Sequence, residues 1–501
     1  MILAARAPVA GDLLLNARPR RYAPAARLPF LWLCGLVLSF AYELPLWEVT
    51  QYERANPRLF DVMFVIGVLL VWPGLRTHRP SIQPFRLWAG IVLVFGICAA
   101  VTALVLVPWE YGKFSLFYAA KYAEGLICAY LAMQIPLTAN QKRRIHQLVI
   151  LGGLFVAMWC IPEYLVGKTV VQLTAKKTLR VPQGVIFGPL SAWYFHIGQF
   201  SVLAFAMALA FVPKARTPAA SWLFVGLAAF LAWPALVCGS RASLIGVVLV
   251  LSIYVVFNKR LVGHILLLAV AGSLLWYVYT PNRKGVGLRD LSLSVRRLLD
   301  IEAADMPEGH QFRSRVLAFA HSSLSDYQHH GYMAVFGAGF YVAPVVEEGS
   351  IRYRLGYGIH NSYLFAFEQG GLLAALLFAL FLGSCWRRLS MIAPSQVASD
   401  AAFGVGMKSF LFALLLMSLG GQVFWHGFNT GNMNSYIVVL LVIGCCPSTE
   451  HVCATGVALK DGRPFFAATA TRFPGTRAAL SPGVSIRRKR TQSTVTGSER
   501  G

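Results

Sequence analysis

Charge is scarce in this sequence. Only 13% of its 501 residues are Asp, Glu, Lys or Arg, against roughly 25% in an ordinary soluble domain. Acidic residues are the scarcer kind, 21 against 45 basic, which leaves a net charge of +24. This poverty of charge excludes the chain of about three soluble domains that length alone would suggest. Cysteine is absent between Pro281 and Ile359, so no disulfide framework can staple that stretch. The C-x-x-C spacing of a metal knot occurs nowhere. There is no H-E-x-x-H, no Walker loop, no G-x-S-x-G and no D-x-D for a nucleotide-sugar metal. The nearest acidic cluster is Asp300-Ile301-Glu302, and Glu347-Glu348 reads as a solvated turn. No internal repeat is evident.

What the sequence has in abundance is apolar length. Hydrophobic residues make up 57% of it. They fall in recurrent runs of about 20 residues, the length a helix needs to cross a bilayer. The fold class read from this pattern is an all-α integral membrane protein with about twelve transmembrane helices. The expected centres are Gly35, Gly67, Phe95, Glu124, Phe155, Leu203, Ala228, Val250, Leu268, Ala375, Leu415 and Val439. The first run, Leu28 to Trp47, lacks a small-residue cleavage site, and so reads as a retained helix rather than a signal peptide.

Basic clusters then orient the chain. Arg76, Arg79 and Arg86 follow the second run, Lys142 to Arg144 the fourth, and Lys214 and Arg216 the sixth. Lys259 and Arg260 follow the eighth, and Arg387 and Arg388 the tenth. All fall on the side of the basic N-terminus, which the positive-inside rule makes the cytoplasm. The organisation is a cytoplasmic N-terminus over 1–27, a membrane domain over 28–447, and a cytoplasmic tail over 448–501. The tail is rich in Ser, Thr, Gly and Pro, includes the block Arg487 to Arg490, and has the composition of a disordered segment drawn to anionic lipid. Scattered across loops and tails in this way, the positive charge follows membrane topology rather than nucleic-acid binding.

A large loop, 281–359, then lies outside, between the ninth and tenth runs. It holds nine Lys or Arg and eight Asp or Glu, with apolar residues at helical spacing: Leu288, Leu291, Val295, Leu298 and Leu299, then Phe312, Val316, Phe319 and Ala320. This spacing predicts short amphipathic helices. A second outer loop runs from Gly167 to about Ser191. Ionisable residues at the mouth of a membrane bundle often mark a site. Here they are Arg180, Arg241, Arg315 and His360. Arginine forks bind phosphate oxygens in pairs, and a histidine takes a proton from a hydroxyl near neutral pH. The plainer readings are that arginines at helix ends snorkel to the interface and that His360, beside Asn361, sits at a helix start. Within the spans, Lys121 and Glu124 stand one helical turn apart, as a structural ion pair would.

At His360 the pattern becomes specific. His360-Asn361-Ser362-Tyr363, followed by Gly370-Gly371 and an apolar helix, resembles the signature of the O-antigen ligase and polymerase superfamily. Phe336-Gly337-Ala338-Gly339-Phe340 resembles the glycine turn that precedes it there. Gly239-Ser240-Arg241-Ala242 resembles its Ser-Arg-Gly/Ala segment, and Arg315 to Phe319 its Arg-x-x-x-aromatic segment. Arg180 to Pro189 resembles its Arg-x-x-x-Gly…Pro segment less closely. The resemblance covers about Arg180 to Leu382, in order. Ala374 departs from the ligase pattern, which has Gly, Thr or Tyr at that place.

The positive-inside rule puts both termini in the cytoplasm, and the resemblance implies a metal-independent glycosyltransferase in a bacterial inner membrane, with no cofactor. It would move a polyprenyl-diphosphate-linked glycan onto a sugar hydroxyl at the periplasmic face, with inversion. The acceptor would be a lipid A-core for a ligase and another lipid-linked glycan for a polymerase. Catalysis would fall to His360, Arg241 and Arg315, and substrate binding to Arg180, Asn361 and Tyr363. The competing class is a polytopic transporter or flippase of lipid-linked glycans, whose mark would be broken helices in two matching halves; the halves here do not match. Topology is directly testable. A cysteine introduced at Ser350 should react with an impermeant thiol reagent in whole cells, and one at Ser395 should not. The opposite pattern would invert the orientation.

Overall fold

A computed structural model of the protein describes residues 27–43, 46, 57–75, 81–106, 108–166, 188–190, 194–215, 217–238, 240–257, 262–263, 335, 337, 342–347, 350–355, 362–420, 433–446 and 447–455. The described residues are mostly helix. In chain order the helices are α1 Arg27–Ser39, α2 Leu59–Ile66, α3 Gln83–Val101, α4 Trp109–Gln134, α5 Ala139–Val166 and α6 Tyr194–Leu209. They continue as α7 Pro218–Val237, α8 Arg241–Phe257, α9 Ser362–Ile392, α10 Ala398–Gly420, α11 Met433–Cys445 and the short α12 Thr449–Thr455. Eleven of the twelve expected centres fall in these helices or their extensions, and Leu268 lies outside the described residues. Among the described residues, seven helices are long and apolar enough to cross a membrane. Arg27–Ser39, Leu59–Val71 and Ala242–Val256 are apolar but shorter. Trp109–Gln134 has the length but includes Lys113, Lys121 and Glu124.

The chemistry of the chain sets several helix ends. Thr138 and Gln141 form a reciprocal capping box at the start of α5: the Gln141 amide donates to Thr138 Oγ1 at 3.2 Å, and the Thr138 amide to Gln141 Oε1 at 2.9 Å. Thr217 caps α7 through the Ala220 amide, with Pro218 supplying the fixed φ that suits a first turn. Ser240 caps α8 by accepting from the Ser243 amide at 3.2 Å. Two helices finish in a π turn, at Gly67–Val71 and Thr102–Leu106.

The expected all-helical architecture has one exception among the described residues. Val342–Glu347 and Ser350–Leu355 pair as an antiparallel hairpin, with Glu347 opposite Ser350 and Val342 opposite Leu355. It lies in the loop 281–359. The helices expected there, around Leu288 to Leu299 and Phe312 to Ala320, lie outside the described residues.

At the centre stands α6, buried at every residue from His196 to Ala210. A helix apolar on all sides belongs in the middle of a bundle, and α6 packs against α5, α7, α8 and α10. Small residues let these helices close up. A Cβ at Gly246 would meet Met417 and Val202, and one at Gly406 would meet Met207. The outward faces are apolar too. Along α9, Leu372, Leu376 and Leu380 form an exposed stripe at fourfold spacing, while Phe378, Phe381 and Cys385 are buried. That is the division expected of a helix with lipid on one side.

One end of the bundle is fastened by a buried ion pair. Lys142 Nζ of α5 lies 2.7 Å from Asp400 Oδ1 of α10, and neither side chain is exposed. The ammonium also donates to the Cys446 carbonyl at 2.6 Å. The other carboxylate oxygen, Asp400 Oδ2, accepts from the Ser448 hydroxyl at 2.7 Å and its amide at 3.0 Å. Around this knot the Thr449 amide donates to the Leu137 carbonyl, the Ala139 amide to Glu450, and Ser395 pairs with His451 Nδ1. Lys142 therefore differs from its neighbours Arg143 and Arg144. The sequence reads it as one of a solvated basic cluster, whereas here its charge is spent inside the fold.

A buried pair that loses one partner leaves an uncompensated charge, at a cost of roughly 3–5 kcal/mol. Lys142→Ala should therefore lower the thermal unfolding midpoint in detergent sharply. Lys142→Met combined with Asp400→Leu, which removes both charges, should recover part of the loss. A double variant no better than the single one would mean that the pair is not the fastening.

Candidate functional site

The opposite end of the bundle is built from turns. Lys142 and Glu163 lie near the two ends of α5, about 30 Å apart at 1.5 Å per residue, which is close to the thickness of a bilayer core. At the Glu163 end the chain forms a 3-10 turn over Gly188–Leu190. Glu163 Oε2 accepts from the Gly188 amide at 2.8 Å, and the Pro189 carbonyl accepts from the Glu43 amide at 2.9 Å. Gly188 has φ +56°, and a Cβ there would lie 2.8 Å from Ile197 Cδ1. The neighbouring residue of α6, Gly198, packs on the turn before α8, where a Cβ would strike the Ser243 side chain and Cys238 Sγ. So α6 starts under both the end of the Arg180–Pro189 segment and the Cys238–Ser243 segment. Two regions that the sequence singles out separately meet on Ile197 and Gly198.

Two other singled-out regions meet directly. Gly337 is buried with φ +80°. A Cβ there would lie 2.6 Å from the carbonyl carbon and oxygen of Gln369 and 2.7 Å from the Gly370 amide. The glycine turn thus lies on bare backbone of α9, nine to ten residues after His360. At the same place α9 breaks: Gly370 has φ −132°, and Gly371 has φ +65° with ψ −165°, a conformation open essentially to glycine alone. The first turns of α9, from Ser362, are therefore a separate short helix held by the Gly337 turn.

Of the residues expected to act, Arg180, Arg315, His360 and Asn361 lie outside the described residues. Arg241 is the first residue of α8, directly after the Ser240 cap. Tyr363 is half-buried, donates its hydroxyl to the Leu415 carbonyl of α10 at 2.8 Å, and packs its ring 5.8 Å from Phe378. That hydrogen bond ties the start of α9 to α10.

Sequence reading passed over several buried polar groups at this end. Glu368 has 3% of its surface exposed, and its Oε2 has no hydrogen-bond partner. It stands two residues before the Gly370 break. Glu43 and Arg58, 4% and 5% exposed, face each other at 3.7 Å between Glu43 Oε2 and Arg58 Nη1. Glu43 follows α1 in a connecting segment; burial pushes its carboxyl up to about 8, against the pull of Arg58 and with a push from Asp61. The expected Lys121–Glu124 pair is present at 2.9 Å, and it has a third member, Asp61 of α2, whose Oδ1 lies 2.8 Å from Lys121 Nζ. An acid inside an apolar run was the available signal for Glu43 and Asp61, since such a residue is costly to place without a purpose. Among the described residues no group of three or more His, Cys, Asp or Glu side chains is arranged to hold a metal ion. No family model matches this chain, and no curated protein matches it.

Proposed function

We propose that the protein is a membrane glycosyltransferase that moves a glycan from a polyprenyl-diphosphate carrier to a sugar hydroxyl on the periplasmic side of a bacterial inner membrane. The observation that carries this reading is the seating of the Gly337 turn on the Gln369–Gly370 backbone. Two segments that resemble the ligase and polymerase superfamily, one in the loop and one in α9, are in contact. Two more, the Gly188–Pro189 turn and the Cys238–Ser243 turn, share the start of α6. The basic end supports the orientation. Lys142 and Arg388 bond the carbonyls of Cys446 and Cys445, so the 142–144 and 387–388 clusters share one end, which the positive-inside rule makes cytoplasmic.

The chemistry follows from charge. Arg241 sits at the first position of α8, where the helix macrodipole is itself positive. A cation there is opposed by the dipole, and an anion bound across both relieves the opposition. A diphosphate is such an anion. As the bond from the anomeric carbon to the phosphate oxygen breaks, negative charge collects on the leaving lipid diphosphate, and Arg241, Arg315 and Arg180 stabilise it. The acceptor oxygen attacks from the opposite face with inversion, and His360 takes the hydroxyl proton. Asn361 and Tyr363 orient the acceptor. The arginines supply the positive charge that a metal ion would otherwise bring. Ala374, which departs from the ligase pattern, keeps a polymerase acting on lipid-linked glycans as open as a ligase acting on lipid A-core.

Complementation of a deletion strain tests the site. Arg241→Lys keeps the charge and loses the fork, so it should not restore glycan transfer; losing one such donor costs about 3 kcal/mol, on the order of a hundredfold in rate. His360→Ala should lose roughly 10²- to 10⁴-fold. Arg313→Ala and His321→Ala, in the same loop but outside the matched segments, should stay active. Full activity in well-expressed Arg241→Ala and His360→Ala would refute the assignment.

A further inference from the structure

We infer that Glu43, Arg58, Asp61, Lys121, Glu124 and Tyr436 form a binding site for one proton, set between α1, α2, α4 and α11 and independent of the transferase reading. The contacts run as one chain. Glu43 faces Arg58; the Arg58 amide donates to Asp61 Oδ2 at 2.8 Å; Asp61 Oδ1 and Glu124 share the Lys121 ammonium at 2.8 and 2.9 Å. The Tyr436 ring of α11 packs against Phe40, and its hydroxyl is buried without a hydrogen-bond partner. One residue past Glu124, a Cβ at Gly125 would strike Ser435, so α4 and α11 close the site from that side.

Among these groups three carboxyls face two cations. Asp61 and Glu124 are well supplied, since each accepts from Lys121 and Asp61 also accepts from the Arg58 amide. Glu43 is not. Its Oε2 has no hydrogen-bond partner, and 3.7 Å to Arg58 Nη1 is an ion-pair distance beyond hydrogen-bond reach. The surroundings offer little solvation. Phe40 packs on Phe60 and on Tyr436, and Phe200 packs on Tyr436, at 5.6 to 6.1 Å between ring centroids. An unmatched carboxylate in such a place is costly and takes a proton instead. The nearest carboxylate of α5, Glu163, is engaged by the Gly188 amide and by Trp159.

The ligand is a proton from water, bound as Glu43 passes from carboxylate to carboxylic acid, and no other bond changes. Its consequence is mechanical. The Glu43 amide holds the Pro189 carbonyl, so the charge of this corner bears on the turn that ends the Arg180–Pro189 segment.

The sign of the linkage is fixed. A carboxyl that holds its proton more tightly when folded stabilises the fold fully below the ordinary carboxylate range, and this is lost as pH rises through the folded value. Thermal unfolding of the purified protein in detergent should be measured from about pH 5 to about pH 9. The wild-type midpoint should fall by several degrees across that window. Glu43→Gln, which mimics the protonated acid, should remove most of that fall, and Glu450→Gln, an exposed change at the other end, should keep it. Should Glu43→Gln fail to fold, difference infrared spectroscopy on Glu368→Gln, which removes the other buried unpartnered carboxyl, decides: a protonated-carboxyl carbonyl band present near pH 6 should vanish by about pH 9. Parallel slopes in wild type and Glu43→Gln, or no such band, would overturn the proposal.

Discussion

Lys142 and Asp400 have no exposed surface between them, and their contact dictates how the rest of the bundle must be arranged. A buried charge is tolerable only with a partner of opposite sign and hydrogen bonds to what remains. Here Asp400 reaches Ser448 and Lys142 reaches Cys446, so α5, α10 and the chain leaving α11 are brought to one point. With that end fixed, α5 reaches about 30 Å to Glu163, where a second carboxylate receives the Gly188 amide. One helix thus carries a structural acid–base knot at its start and the support of a turn at its end.

The two ends differ in kind. The Lys142 end is closed by the Lys142–Asp400 ion pair and by side-chain caps. The Glu163 end is closed by glycines: Gly188, Gly198, Gly337 and Gly370 all let the chain approach where a side chain would collide. Close backbone packing leaves polar side chains such as Glu43, Ser243 and Glu368 with incomplete sets of partners.

Much of this was legible in the sequence. The apolar runs gave eleven helix positions because a span must be both long and apolar. Lys121 and Glu124 were readable as a pair because helical spacing alone brings them together. The same rule could not find Asp61 beside them or Asp400 beside Lys142, whose partners arrive from other helices. Charge counting placed Lys142 with Arg143 and Arg144 because it sees sign and position, not burial. Helix length was also overestimated at α1, which stops at Ser39, before Glu43 turns inward to Arg58 and Pro189. The hairpin at 342–355 escaped because its strands are short and lie in a mixed polar segment, where helical periodicity was sought.

The proposed reaction is chemical: a glycan would leave a lipid diphosphate for a hydroxyl, with arginines neutralising the leaving group. The most direct measurement is transfer by the purified protein, in chelator, from a polyprenyl-diphosphate-linked glycan to an acceptor glycan, with the products separated and the new linkage assigned by NMR. The expected products are lengthened or ligated glycan of inverted anomeric configuration, together with free polyprenyl diphosphate in equal amount. Transfer that needs added Mg²⁺ or Mn²⁺, retained configuration, or unaltered donor merely moved across the membrane would contradict the proposed reaction.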